Sequence, residues 1–136
     1  AKQRMSSAIR YDGESLESQV GEMERIASQV PDACGYRILV MMPDVKETTE
    51  GGIVIPEERR GAEQVASIVG WVASVGPDAY KDKSRFPGEP WCKKGDWIVM
   101  RAYAGTRLKI RGQEFRIIND DSVECVVEDP RGVARL

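Results

Sequence analysis

The stretch "RLKIRGQEFRII", residues 107–118, decides the fold. Leu108 and Ile110 alternate with Arg107, Lys109 and Arg111, the period of two that places apolar side chains on one face of a strand. Arg111-Gly112 then supplies a tight turn before "QEFRII", so the stretch predicts an antiparallel hairpin. Working outward, "GYRILVMM" (35–42), "VASIVGWVASVG" (65–76), "DWIVMRAY" (96–103) and "SVECVV" (122–127) are also rich in β-branched and aromatic residues. Gly, Pro, Asp and Asn punctuate them. The pattern predicts a mainly β fold, a small antiparallel barrel over residues 35–128. Gly70, in the middle of an apolar strand, predicts a bend or bulge where such a barrel curves.

Residues 1–34 read differently. In "ESLESQVGEMERIASQV" (14–30), Leu16, Val20, Met23, Ala27 and Val30 recur at spacings of three and four, with Glu17, Glu22, Glu24, Arg25 and Gln29 on the other side. This predicts a short amphipathic helix that ends before Pro31 and packs its stripe on the barrel. Gly21 costs such a helix about 1 kcal/mol relative to alanine, so it needs that packing to persist. Residues 129–136, "DPRGVARL", form a C-terminal tail.

Composition removes several functions. With 20 Lys and Arg against 22 Asp and Glu, the net charge of -2 gives no global attraction to nucleic acid or an anionic membrane. There is no histidine, which removes Ser-His-Asp and Cys-His nucleophile pairs and imidazole metal sites. Cys34, Cys92 and Cys125 are odd in number and outside any CxxC spacing, so no disulfide framework or zinc site is expected and a reducing cytoplasm fits best. The adjacent pairs Glu57 and Glu58, Asp120 and Asp121, and Glu128 and Asp129 would point to opposite faces of a strand and do not make a two-carboxylate site. Neither phosphate-cradling glycine motif is present. No apolar run approaches a membrane span, and the opening "AKQRMSSAIRYDGES" is polar. No cofactor, metal or catalytic residue is expected.

Two connections, from Met42 to Gln64 and from Gly76 to Asp96, are too long for turns, and loops of about 20 residues are usually functional or disordered. The first carries "TEGGIVIP", an apolar triplet in a polar stretch. That loop, the strand ending "VGPDAY", "KKGDWIVM", the turn "YAGT", "LKIRGQEFRII" and the closing "SVECVV" stand in an order that resembles the GroES-type co-chaperonins, the chaperonin 10 kDa family of ring-forming lids. The resemblance covers about residues 35–128. It implies a GroES-like β-barrel with two long loops, a mobile loop and a roof hairpin. It implies that Gly51, Gly52, Ile53, Val54 and Ile55 dock on the chaperonin 60 kDa ring in its ATP-bound state.

In an extended segment Ile53 and Ile55 share a face, so two anchors enter a groove together. Each contributes roughly 1.5 to 3 kcal/mol on burial, whereas ordering a flexible loop costs about 1 to 2 kcal/mol per residue. One loop therefore binds weakly, and useful affinity requires several on one assembly. The resemblance implies a homo-oligomer, a ring of seven. Its contact pairs the first strand with the neighbour's last strand, through Arg37, Ile38, Leu39, Val40, Val123, Cys125, Val126 and Val127, both strands being expected at open sheet edges. Tyr103 matches a chamber-facing tyrosine, the alternative being a tyrosine packed beside its own turn. Lys81, Asp82, Lys83 and Arg85 fall in the roof loop, the alternative being a solvated connection. Unfolded clients inside the chamber are the other partners implied, with no nucleic acid and no membrane. The added residues 1–34 and 129–136 suggest a specialised or phage-encoded variant, acting in the host cytoplasm if so.

Two other functional classes are compatible with parts of the sequence. A single-strand nucleic-acid-binding barrel would use Trp71, Trp91 and Tyr103 with Arg101, Arg107, Lys109 and Arg111. An enzyme would use surface carboxylates or Cys92, with no base recognisable beside a nucleophile.

Overall fold

A computed structural model describes residues 16–29, 32–43 and 65–136 of the chain. The triplet 53–55 and the glycines before it lie outside the described residues. Helix α1 (Leu16–Ala27) precedes strands β1 (Arg37–Met41), β2 (Val69–Val75), β3 (Trp97–Val99), β4 (Thr106–Ile110), β5 (Gln113–Asn119) and β6 (Cys125–Val127). They form one six-stranded sheet in the order β4-β5-β1-β2-β3-β6, antiparallel at every pairing. The expected mainly β architecture, with a short helix ahead of the strands, is therefore present.

The hairpin that sets the fold closes on a two-residue turn. Ile110 pairs with Gln113, and Leu108 with Phe115, while Arg111 and Gly112 both take positive φ, 53° and 83°. That is the geometry of a turn whose twist matches its strands. Glycine adopts it freely; Arg111 adopts it against its Cβ.

Alternation along the strands builds two cores. Leu39, Met41, Trp71, Ala73, Trp97 and Phe115 face one side of the sheet, where Met23, Ile26 and Ala27 of α1 cover them. Ile38, Val40, Val72, Ile98 and Ile118 face the other, where Ala79, Tyr80, Phe86 and Cys92 of the 76–96 connection cover them. The C-terminal residues also fold back on the helix-covered side. Val133 packs against that core, Pro130 is buried, and Arg135 Nη1 donates to Ser67 Oγ at 2.9 Å.

Three expectations are corrected. First, β1 is not an edge: it pairs with β2 on one side and β5 on the other, and Ile38, Leu39 and Val40 are buried at 0 to 4% exposure. The edges of the described sheet are β4 and β6, because the chain inserts β1 between β2 and β5 rather than leaving the strands in sequence order. Second, the bulge lies elsewhere than Gly70, which pairs regularly with Ile98. The register slips between Leu39 and Val40, partners of Ser74 and Val72, leaving Ala73 as the extra residue. Gly70 instead gives clearance, since a Cβ there would clash with Val40 Cγ1 and sit 3.1 Å from Met100 Cε. Third, β3 and β6 are short. Residues beyond Met100 leave the ladder for a turn closed by the Ala104 amide on the Arg101 carbonyl. Asp120–Ser122 form a 3-10 turn ahead of β6.

Gly70→Ala is expected to destabilise the fold by roughly 1 to 3 kcal/mol through overpacking against Val40, read as a lower urea midpoint at unchanged slope. Arg111→Asn is expected to do the reverse, raising stability by up to about 1 kcal/mol, because asparagine tolerates the left-handed turn position better; an unchanged midpoint would remove the assigned strain.

Candidate functional site

The 76–96 connection forms no β-strand; most of its residues are exposed, while Ala79, Tyr80, Phe86 and Cys92 turn inward onto the sheet. Pro77, Pro87 and Pro90 lack the backbone donor a ladder needs, and the segment is built from turns instead. Asp82 organises one of them. Its carboxylate accepts from the Ser84 amide at 3.1 Å and the Ser84 hydroxyl at 2.7 Å, bonds that hold its pKa below the usual carboxylate range. Its carbonyl accepts from the amides of Arg85 and Phe86. Those turns throw Phe86 inward against Tyr80, edge to face at 5.0 Å, and against Trp91 at 4.9 Å.

Asp120, read in the sequence only as half of an acidic pair, is a buried carboxylate that fixes this layer. It accepts from the Tyr80 amide at 3.0 Å, holding Tyr80 at a φ of 61°. The Tyr80 hydroxyl lies 3.6 Å from Cys92 Sγ. Burial raises the pKa of the Tyr80 phenol well above its ordinary value, as does its contact with Cys92, and burial likewise pushes the Cys92 thiol up. A reactive cysteine needs the opposite shift, so the Cys92 chemistry considered above finds no activated thiol here.

Lys81, Asp82, Lys83 and Arg85 are all exposed on the outer side of this connection. They are not four equivalent charges, however. Asp82 is occupied within its turn, and Arg85 pairs with Asp121 while stacking over Phe86 at 5.1 Å.

Tyr103 stands on the turn between β3 and β4 and is 92% exposed. It projects outward rather than packing beside that turn. Beneath it lies Arg116 of β5, the second residue that sequence reading missed. Its residue is only 2% exposed, and Nη1 donates to the carbonyls of Ala102 at 2.7 Å, Arg101 at 3.3 Å and Ser67 at 3.5 Å. Burial, with the nearby Arg107 guanidinium, pushes its pKa down. An arginine inside "EFRII" was the available signal, since a cation in an apolar strand must find acceptors.

The nucleic-acid reading required aromatics gathered on a basic face. Trp71 is wholly buried in the helix-covered core, and Trp91 is engaged with Tyr80 and Phe86. Trp91 is nevertheless 46% exposed and Tyr103 92% exposed, but they stand on different connections, and among the described residues no ring contact joins them into one stacking platform. Arg101 is paired with Glu124 at 3.6 Å and Arg107 with Glu114 at 3.1 Å.

The two sheet edges differ in kind. In β4, Arg107 and Lys109 put cations along the edge, a common guard against pairing with other chains. In β6, Cys125 is exposed and Val126 is 45% exposed, with no charged residue within the strand. Val123 is buried and Val127 half-buried. Exposed Arg37, at the start of β1, donates from Nε to Asn119 Oδ1 at 3.2 Å. No described helix is long and apolar enough to cross a membrane.

Residues 32–127 match the family described as the chaperonin 10 Kd subunit. A co-chaperonin GroES from Caldicellulosiruptor saccharolyticus is 37% identical over 95 residues, which cover 70% of this chain and 94% of that protein. The co-chaperonin GroES from Acetivibrio thermocellus is 37% identical over 94 residues, covering 69% and 94% respectively. That from Methylacidiphilum infernorum is 34% identical over 95 residues, covering 69% and 90%. The strand order, the "GGIVIP" connection and the 107–118 hairpin all fall inside the matched span, and the chain belongs to the chaperonin 10 Kd subunit family of GroES-type co-chaperonins.

Proposed function

We propose that the protein is a ring-shaped lid for an ATP-driven chaperonin 60 kDa ring, docking through Gly51, Gly52, Ile53, Val54 and Ile55 and closing a chamber around an unfolded client. The family match carries this reading, because the triplet lies within its span at 32–127. The role is non-catalytic: nucleotide binds the partner, the partner's groove opens, the loops dock, and the client is isolated from other unfolded chains in the cytoplasm.

Assembly supplies the affinity. Two buried isoleucines per loop are offset by the ordering of that loop, so engagement of several loops at once sets the binding strength. A ring of seven is the number the resemblance carries. The contact runs along β6, whose uncharged edge of Cys125, Val126 and Val127 is the one left unguarded. Since β1 is paired on both sides, the neighbour's contribution comes from the residues just ahead of it, 32–36, where Cys34 and Tyr36 are exposed. Tyr103 and the outer charges of the 76–96 connection then face the chamber or its roof.

Ile53→Asp or Ile55→Asp is expected to leave the ring assembled and to abolish ATP-dependent co-sedimentation with a chaperonin, each loop losing more than about tenfold in affinity. A variant that still co-sediments normally overturns the loop assignment. Val126→Asp is expected to leave the single chain folded and reduce the native mass to that of one chain; an intact ring would move the contact off β6.

A further inference from the structure

We infer that Arg116 is a positioning residue that ties two surface segments to each other: the turn that projects Tyr103, and residues 65–68, where the chain returns to the sheet after the long connection. One buried nitrogen reaches both. Nη1 is 2.7 Å from the Ala102 carbonyl and 3.3 Å from that of Arg101 in the first segment, and 3.5 Å from the Ser67 carbonyl in the second.

The burial of a cation makes this more than packing. No described carboxylate forms an ion pair with Arg116, and its Nε has no described hydrogen-bond partner. The Glu114 carboxylate favours its charge at longer range, but its hydrogen bonds go to carbonyls, each held because the buried guanidinium needs an acceptor. Both segments are short turns with hydrogen bonds of their own. The Ala104 amide closes on the Arg101 carbonyl, and the Ile68 amide on the Val65 carbonyl at 3.0 Å. The Ile68 carbonyl in turn accepts from the Met100 amide at 2.8 Å, so the two turns already lie side by side. Ser67 is gripped from a second direction by Arg135 of the C-terminal tail. In the lid reading above, on which this functional meaning rests, Arg116 sets the root of the chaperonin-docking connection and the chamber-facing tyrosine with one side chain.

The test is amide hydrogen exchange on the protein alone, which needs no chaperonin and so stands apart from the lid reading. In Arg116→Met, exchange at Ala104 and at Ile68 is expected to rise together by tenfold or more, while Gly76, whose amide bonds the Arg37 carbonyl at 2.8 Å, keeps its protection. Arg116→Lys, which retains a cation with three donors, is expected to recover a substantial part of that protection at both positions. Loss at one position only, loss that includes Gly76, or a lysine variant no better than the methionine variant would each overturn the proposal. Should Arg116→Met fail to fold, Arg116→Lys alone decides: a partial, parallel rise at Ala104 and Ile68 upholds it, and a rise at one or neither refutes it.

Discussion

Everything in this molecule is arranged around the double burial of β1. The strand has neighbours on both sides, and its side chains alternate between two cores, Leu39 and Met41 toward one and Ile38 and Val40 toward the other. An antiparallel sheet with one wet face needs only one apolar layer. A sheet whose central strand is apolar on both faces needs two covers, and a chain of this size has few elements from which to make them. The 76–96 connection is one cover and α1 with the C-terminal residues is the other. Its turns, prolines and aromatic cluster follow from being used as a layer of core.

That constraint also determines which surfaces remain for partners. With both faces occupied, the described residues leave the two edges, the Tyr103 turn and the outer side of the 76–96 connection. Edge β4 carries cations and β6 does not, so the sheet is asymmetric in its readiness to accept another strand. The long connection leaves the sheet after Met42, whose amide bonds the Glu114 carbonyl at 3.0 Å and whose carbonyl accepts from Gln113 Nε2 at 3.0 Å. Its point of departure is thus held by β5, the strand that also carries Arg116.

The parts of the fold legible in the sequence were those governed by local chemistry. The hairpin 107–118 was readable because its alternation and its Arg-Gly turn agree. Helix α1 was readable because the spacing of Val20, Met23 and Ala27 admits one seat. Strand order was not readable, and treating β1 as an edge was its direct consequence: "RILVM" reads as an apolar run whether its neighbours lie on one side or both. Gly70 was misread because a glycine in a strand signals close approach as readily as a bulge, and Val40, thirty positions earlier, decides which. Phe86, Trp91 and Cys92 did mark the 76–96 connection as unusual, but only Phe86 and Cys92 turn inward, beside a Tyr80 amide held by Asp120, a residue that in the sequence was only half of an acidic pair. Ile53, Val54 and Ile55 lie outside the described residues and inside the span that matches the family.

The two covers differ in origin. The 76–96 layer lies within the span that matches the co-chaperonins, whereas α1 and Val133 lie outside 32–127. The helix-covered core contains Trp71, Trp97 and Phe115, all at 4% exposure or less, and aromatics of that size left open to water would form a patch prone to nonspecific contact. A 12-residue helix is marginal alone, and Gly21 weakens it further, so α1 is held by the sheet as much as it protects it. The consequence is a reciprocal dependence: the helix has its fold because Met23 and Ile26 find those aromatics, and the aromatics can stand on that face because a segment outside the matched domain covers them. In this chain α1 and Val133 are therefore part of the core that supports the sheet, and the edge β6 is presented by a body that includes them.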